Sequence, residues 1–214
     1  LNIYIDMDSI LNRRVATILF LGFSSGLPLA LSGGTLQAWL TVEGVDIKTI
    51  GLFTLVGLPY TLKFLWSPFL DRFSFPLFGR RRGWVLVFQA LLLILIFAMS
   101  MVSPAKAPWV LAFLAFGVAF ASSSQDIVVD AYRAEVLREK ERGLGAAVFV
   151  TGYRVAMLIS GALALILSGI LGWQATYMLM GGFMLAGMTA SWLGPEPEDP
   201  GTPPKTLQEA VSGP

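Results

Sequence analysis

Long apolar stretches alternate with short polar connectors along the chain. Six stretches come close to or exceed the roughly 20 residues that a helix needs to cross the hydrocarbon core of a bilayer. They cover residues 15–36, 50–70, 84–102, 109–131, 144–167 and 176–193. Basic residues interrupt two of them, Lys63 in the second and Arg154 in the fifth. The pattern predicts an all-α membrane protein with six transmembrane helices.

The polar connectors differ in charge from one side of the predicted membrane to the other. Lys48 and Lys106 lie on one side. The opposite side carries eleven of the fifteen basic residues, namely Arg13, Arg14, Arg72, Arg80, Arg81, Arg82, Arg133, Arg138, Lys140, Arg142 and Lys205. Cytoplasmic loops carry such an excess, so both termini are expected in the cytoplasm. The tryptophans fall near predicted helix ends, where an aromatic belt would lie: Trp39, Trp66, Trp84, Trp109, Trp173 and Trp192.

Composition supports a membrane protein and excludes several kinds of chemistry. Hydrophobic residues make up 55% of the 214 positions and charged residues 14%, against about 25% charged residues in soluble domains. The net charge of +1 gives no basic surface for nucleic acid. Because the chain has no His and no Cys, we expect no disulfide, metal centre or other cofactor. Motifs of membrane enzymes are absent as well, so we expect no catalytic activity, and proton chemistry must use carboxylates, tyrosines or lysines.

One connector carries a recognisable motif. After the second span the chain reads Ser67-Pro-Phe-Leu-Asp71-Arg72, then "FSFPLF", then Gly79-Arg80-Arg81. This resembles the signature G-x-x-x-D-R-x-G-R-R between helices two and three of major facilitator superfamily transporters. The sequence departs from it by Ser67 at the first glycine and by the insertion. An ordinary basic loop that sets topology is the alternative interpretation.

Further blocks carry a closer resemblance. "GFSSGLPLALSGGTLQAWLT", "KTIGLFTLVGLPYTLKFLWSPFLDR", "SSQDIVVDAYRAEVL" and "GPEPEDPGTPPKTLQEAV" resemble the N-terminal half of the AmpG family of muropeptide permeases. The resemblance runs from about residue 14 to the end. It implies proton-driven import of anhydromuropeptides across the bacterial inner membrane, for peptidoglycan recycling and β-lactamase induction. The implied fold is one half of a twelve-helix carrier, built as two inverted triplets of helices.

Hydropathy and composition set the expected domains. Residues 1–13 would be a cytoplasmic N-terminus, 14–193 a six-helix transmembrane domain, and 194–214 a cytoplasmic linker rich in Pro and acids. The chain begins with Leu and stops just after this linker, so we expect a fragment whose partner is a C-terminal six-helix half. Two other interpretations stay open: a carrier of another bulky anion, such as an acetyl-CoA-like or sugar-derived one, and a six-helix membrane protein that transports nothing.

Four charged residues fall within the predicted spans: Lys63, Asp126, Asp130 and Arg154. Each would cost about 2.5–3.5 kcal/mol at the centre of a spanning helix. The four should therefore pair with one another or line a wet cavity. Asp130 lies about one helical turn from the predicted cytoplasmic loop, and Asp126 lies one turn deeper.

These depths suggest different roles for the two acids. Asp130 could form a cytoplasmic charge cluster with Asp71, Arg72 and Arg133 that closes one gate. Desolvation favours the neutral form of Asp126, whereas a nearby base favours its charged form. An acid balanced in this way could carry the coupling proton. The alternative is a static ion pair with a base of a neighbouring helix.

Six residues are candidates for binding substrate. Lys63 and Arg154 could hold substrate carboxylates, or simply neutralise the aspartates. Gln125 could bond to sugar and peptide groups, or join helices. Tyr60 and Tyr153 could stack on sugar rings, or pack. The resemblance implies that Gly152 is sensitive to bulk.

Small residues mark the first span. Gly22 and Gly26, with Pro28, would let the first helix pack closely and bend. The pair at 33–34, both glycines, should weaken its outer end.

Overall fold

The computed structural model describes residues 12–72 and 80–196, with Arg80 placed by its backbone alone. Most of the predicted N-terminus, the "FSFPLF" insertion with Gly79, and most of the predicted linker lie outside these residues. The described parts are helical. The α-helices are α1 Arg13–Ser32, α2 Gly34–Val42, α3 Ile47–Leu52, α4 Leu58–Leu62, α5 Ser67–Arg72, α6 Arg80–Ser100, α7 Pro108–Val136, α8 Arg142–Leu158, α9 Ala164–Leu171 and α10 Trp173–Leu193.

Within the described ranges, four helical stretches are long and apolar enough to cross a membrane. They cover Arg13–Val42, Arg81–Ser100, Pro108–Val136 and Glu139–Leu171. They contain the first, third, fourth and fifth predicted spans, apart from a residue or two at the end of the third. The sixth predicted span lies in the 21-residue helix α10, which is about 31 Å long by helical rise but is not among these four stretches. The chain is thus an all-α, multi-pass membrane protein, while the pairing of its helices into inverted triplets stays a prediction.

The second predicted span is not one helix. Residues 47–72, called the second segment below, alternate α3, α4 and α5 with 3₁₀ turns at Phe53–Gly57 and Lys63–Leu65. Gly57 precedes Pro59 near the start of α4. Proline has no amide hydrogen to donate to the preceding turn, and Pro59 accordingly lies in the first turn of a new helix, α4, directly after the 3₁₀ turn.

Helix α1 lies at the centre of the bundle, where it contacts α7, α8 and α10. Its closest neighbour is α8. The carbonyl oxygen of Phe149 occupies the place where a side chain on Gly22 would begin, and that of Tyr153 does the same at Gly26. The close packing predicted from the two glycines is confirmed, because only residues without a Cβ allow this approach.

The outer end of the first span is divided, as the paired glycines predicted. Helix α1 ends at Ser32, and α2 starts at Gly34. A π-turn interrupts the fifth span at Ile159–Leu163, where the Thr35 hydroxyl donates a 2.7 Å hydrogen bond to the Ser160 carbonyl. The bond joins the start of α2 to the irregular turn and satisfies a backbone acceptor.

Basic side chains cap the C-terminal end of α10. Arg82 donates to the carbonyls of Ser191 and Trp192 at 3.0 and 2.5 Å, and Arg13 donates to that of Leu193. The last carbonyls of a helix have no partner within it and carry partial negative charge. The arginines therefore satisfy these carbonyls and tie α10 to the first turns of α1 and α6.

Two tryptophans contradict the predicted aromatic belt. Trp39 is 1% exposed and stacks on Trp173 with ring centroids 5.9 Å apart. Trp66 is partly buried and donates a 3.0 Å hydrogen bond from Nε1 to Ser124 Oγ. Both rings pack inside the bundle because neighbouring helices offer aromatic or hydroxyl partners there.

Candidate functional site

A chain of buried polar side chains crosses the bundle interior. Gln125 Nε2 lies 3.3 Å from the hydroxyls of both Ser24 and Ser25. Gln89 Nε2 donates to Ser24 at 3.1 Å, and its Oε1 accepts from Ser191 at 2.9 Å. This network joins α1, α6, α7 and α10. It favours the helix-joining alternative for Gln125, and direct contact between Gln125 and substrate stays a prediction.

Asp126 follows Gln125 and points to another side of α7. Its Oδ1 atom is buried and has no hydrogen-bond partner among the described residues. The Ser25 hydroxyl faces the carboxyl group. Because Ser25 Oγ already accepts from Gln125, its own hydrogen is available to Asp126. The amide of Gln125 thus positions a donor for its neighbouring acid.

The two intramembrane bases differ in their relation to Asp126. Lys63 acts on the carboxyl group through space, but within the described residues no Lys or Arg lies within the 4.0 Å of an ion pair with it. Arg154 is exposed on α8. The alternative interpretation, a static pair of Asp126 with Arg154 or Lys63, is therefore not met in this conformation. Among residues 12–72 and 80–196, neither Asp126 nor the exposed Arg154 has an ion-pair partner.

Two tyrosines lie near the same carboxyl group, one from the second segment and one from α8. Tyr60 and Tyr153 both interact with Asp126 at longer range. The Tyr60 hydroxyl is buried without a hydrogen-bond partner in the described structure, and the Tyr153 ring packs 6.3 Å from that of Phe149. Stacking on sugar stays a prediction for both, and both lie within electrostatic range of Asp126.

Gly152 lies at a close contact between α8 and α1. A Cβ there would meet the Leu19 carbonyl oxygen, with Phe23 N at 3.0 Å. Sensitivity to bulk therefore follows from the crossing of α1 and α8. Contact between Gly152 and substrate stays a prediction.

The expected cytoplasmic charge cluster takes a different form. Arg81, whose side chain is 8% exposed, binds Asp71 at 2.7 Å and Glu135 at 3.0 Å. One guanidinium thus bridges the end of α5 and the end of α7. Arg72 lies beside Asp71 and is partly buried.

Asp130 and Arg133 form a separate pair. Their side chains meet at 3.1 Å within α7, and the Arg133 guanidinium lies 4.6 Å from the ring centre of Phe149. Among the described residues Arg133 has no other acidic partner. Of the predicted cluster, the Asp130–Arg133 pair is thus present, while Asp71 binds Arg81 and Arg133 extends over the Phe149 ring of α8. A single gate that contains all four residues stays a prediction.

Sequence reasoning missed several residues of this region. Gln89, Ser24 and Ser25 were identifiable as polar residues inside apolar spans. Arg81 belongs to the Gly-Arg-Arg motif, and Glu135 lies near the end of α7. Their partners depend on how helices pack, and no local pattern reveals that.

The arrangement can bind a proton and an anion. Asp126 supplies an acid, and Lys63 and Arg154 supply cations, none of the three having an ion pair in the part of the chain that the structure describes. No group of three or more metal-ligating side chains is found in residues 12–72 and 80–196.

Comparisons with known proteins give the chain's relatives. The chain is 54% identical to the protein of Escherichia coli K12 named Anhydromuropeptide permease, over 94% of this chain and 41% of that protein. It is 44% identical to an uncharacterized protein of Haemophilus influenzae, over 89% of this chain and 45% of that one. It is 38% identical to "Putative transporter AmpG 4" of Rickettsia felis, over 78% of this chain and 42% of that protein.

The chain spans about two fifths of the length of these curated relatives. The names of the Escherichia coli and Rickettsia felis proteins confirm the resemblance found in the sequence. The sequence model of the Major Facilitator Superfamily matches residues 18–212, which is nearly the whole chain. This chain therefore belongs to the Major Facilitator Superfamily.

Proposed function

We propose that the protein to which this chain belongs imports anhydromuropeptides across the bacterial inner membrane, in symport with protons. Both termini of the chain lie in the cytoplasm in this proposal. The observation that carries the substrate is the 54% identity to a protein named Anhydromuropeptide permease. The protein is a carrier, and import would return peptidoglycan fragments to the cytoplasm and supply the signal that induces β-lactamase.

Asp126 is the proposed proton carrier. It is a carboxyl group in an apolar span. Among the described residues its buried Oδ1 has no hydrogen-bond partner, and no base lies at ion-pair distance from it. A charge held in that position is costly. Protonation removes this cost, so proton binding and the movement of the site across the membrane are energetically linked.

The proposed substrate contacts are the two intramembrane bases. Arg154 is exposed on α8, and an exposed guanidinium within a span cannot face lipid at low cost. It would instead face the aqueous path between this six-helix domain and the second half of the carrier, where it can bind a carboxylate through two hydrogen bonds. Lys63 would contribute a second positive charge.

Transport measurements with the full-length protein test the proposal. Inside-negative membrane vesicles are given labelled anhydromuropeptide, with and without an uncoupler. Uptake that collapses with the uncoupler is expected. Asp126→Asn should abolish accumulation against a gradient while Asp126→Glu retains part of it. The thermal midpoints of both purified variants show whether they are folded.

Other outcomes would replace the substrate claim. Absence of uptake by inserted, folded protein contradicts muropeptide transport. The unpaired cations Lys63 and Arg154 would then favour another bulky anion, and competition with an acetyl-CoA-like compound would test that alternative.

A further inference from the structure

Three buried hydroxyl groups lie on one side of Asp126. Tyr60 comes from the second segment, Ser122 from α7 and Ser32 from α1. The Tyr60 hydroxyl faces both Ser122 and Ser32, yet Tyr60 Oη and Ser122 Oγ make no hydrogen bond of normal geometry within the described structure. Ser32 donates to the Pro28 carbonyl at 2.9 Å, which leaves its lone pairs free.

Unpartnered buried hydroxyls are unusual. A buried polar atom without a partner costs about 1–3 kcal/mol, and native structures keep few of them unless water or function explains them. Among the described residues, Tyr60 Oη, Ser122 Oγ and Asp126 Oδ1 are three of six such atoms. Tyr60 lies near both Ser122 and Asp126, so these three occur in one region.

The order of these groups along the membrane normal is consistent on every element. In the proposed topology α7 runs toward the cytoplasm, so Ser122 lies about 6 Å outward of Asp126 by helical rise. Helix α1 runs outward, which places Ser32 about 10 Å beyond Ser25, the residue that faces the acid. Tyr60 precedes Lys63 on a segment running inward. All three hydroxyls therefore lie on the outer side of the carboxyl group.

We propose that Tyr60 and Ser122 form a proton-delivery path from the outer side of the membrane to Asp126. A hydroxyl is both donor and acceptor, so it can accept a proton at its oxygen while its own proton passes on. A proton entering at Tyr60 Oη displaces the phenolic proton toward Ser122, which in turn passes its own proton to Asp126 Oδ1. The separation of about 6 Å along α7 requires one bridging water molecule, which would accept the Ser122 proton and pass one of its own to the carboxylate. Each hydroxyl ends with one proton, and the carboxylate gains one.

The groups around Asp126 support delivery from this side. Ser25 faces it from α1, Lys63 from the second segment, Asp130 from α7 and Tyr153 from α8. A lysine ammonium offers donors and no acceptor, so Lys63 does not suit proton uptake. Asp130 is exposed and paired with a basic side chain on the cytoplasmic side, so it suits release rather than entry.

This inference rests on the proposed proton symport. Two measurements on full-length protein in proteoliposomes distinguish failure of the path from failure of the symport. The first is accumulation of labelled anhydromuropeptide driven by a proton gradient. The second is counterflow, in which labelled substrate exchanges for unlabelled substrate without net proton movement. Tyr60→Phe removes one oxygen and keeps the ring. It should slow proton-driven accumulation about tenfold or more and leave counterflow near the wild-type rate.

Ser122→Ala provides the second variant and should show the same split. Tyr177→Phe is the matched control, since Tyr177 is equally interior but bonds the Leu31 carbonyl at 2.9 Å, away from Asp126. Any loss in Tyr177→Phe should lower accumulation and counterflow by the same factor. Wild-type accumulation in both test variants would overturn the path. Equal loss of accumulation and counterflow would also overturn it and assign Tyr60 to substrate. No uptake by the wild type would instead refute the symport proposal.

Discussion

Adding one methyl group at Gly152 should separate two helices. In Gly152→Ala the new Cβ meets the Leu19 carbonyl oxygen and lies 3.0 Å from Phe23 N. Both are backbone atoms of α1, so neither can rotate away, and the helices must part by roughly an ångström in a close-packed interior. Overpacking costs about 1–3 kcal/mol. Because the obstacle here is rigid backbone, we expect a cost near the upper value of this range.

An opposing term must be subtracted. Alanine is favoured over glycine in a helix by about 0.5–1 kcal/mol. The net loss is then about 2 kcal/mol, or about 30-fold in the ratio of folded to unfolded protein. The thermal midpoint of full-length protein in detergent should fall by about 4 °C.

The same fifth span supplies the control. Gly169 lies in α9 and has no atom within 4 Å of its would-be Cβ. Gly169→Ala should therefore leave the thermal midpoint unchanged or raise it slightly. If Gly152→Ala melts at or above Gly169→Ala, the packing argument fails. Loss of transport without loss of stability in Gly152→Ala would then favour direct contact with substrate.

Three other perturbations have defined outcomes. Arg81→Lys keeps the charge but cannot bridge both carboxylates, so it should lower the free energy of unfolding by about 1–3 kcal/mol and reduce the thermal midpoint. Arg142→Lys is the control, because Arg142 lies on the exposed start of α8, and it should leave the thermal midpoint unchanged. Trp66→Phe removes the bond to Ser124 and should cost about 0.6–1.5 kcal/mol by the same assay; no loss would make that bond energetically neutral. Asp46 caps the N-terminus of α3. Hydrogen bonds from Thr49, first from its hydroxyl and then from its amide, lower the pKa of the Asp46 carboxyl group from its ordinary value of 3.8. The charged cap should protect α3 amides from hydrogen exchange above pH 3.8 and lose this effect as the pH falls further, whereas protection in Asp46→Asn should not depend on pH.

Much of the fold was predictable because lipid imposes one strong constraint. A span must satisfy its backbone hydrogen bonds internally and present apolar side chains, so hydropathy locates it. The division of the second segment was foreseeable in principle from Gly57 and Pro59, which local rules treat as helix breakers. The sequence interpretation gave more weight to its apolar length.

The site was less predictable. Asp126 and Lys63 were identified because a charge in an apolar span is conspicuous. The two partners of Arg81 were not identified. Asp71 and Glu135 lie 10 and 54 positions away from it, and they meet Arg81 only when α5, α6 and α7 pack together. Pairwise contacts of this kind depend on the rotation of each helix about its axis. Apolar spans of nearly uniform composition do not encode that rotation locally.

The arginine caps on α10 have a mechanical consequence. Beyond α10, the Pro195 carbonyl accepts a 2.6 Å bond from the Tyr132 hydroxyl, and Glu196 pairs with Arg82 at 2.7 Å. A pull on the chain at Glu196 would thus be shared among α1, α6 and α7 before it could unwind the last turn of α10. Tension applied beyond Glu196 would therefore move the bundle as a unit, with the load distributed over three helices.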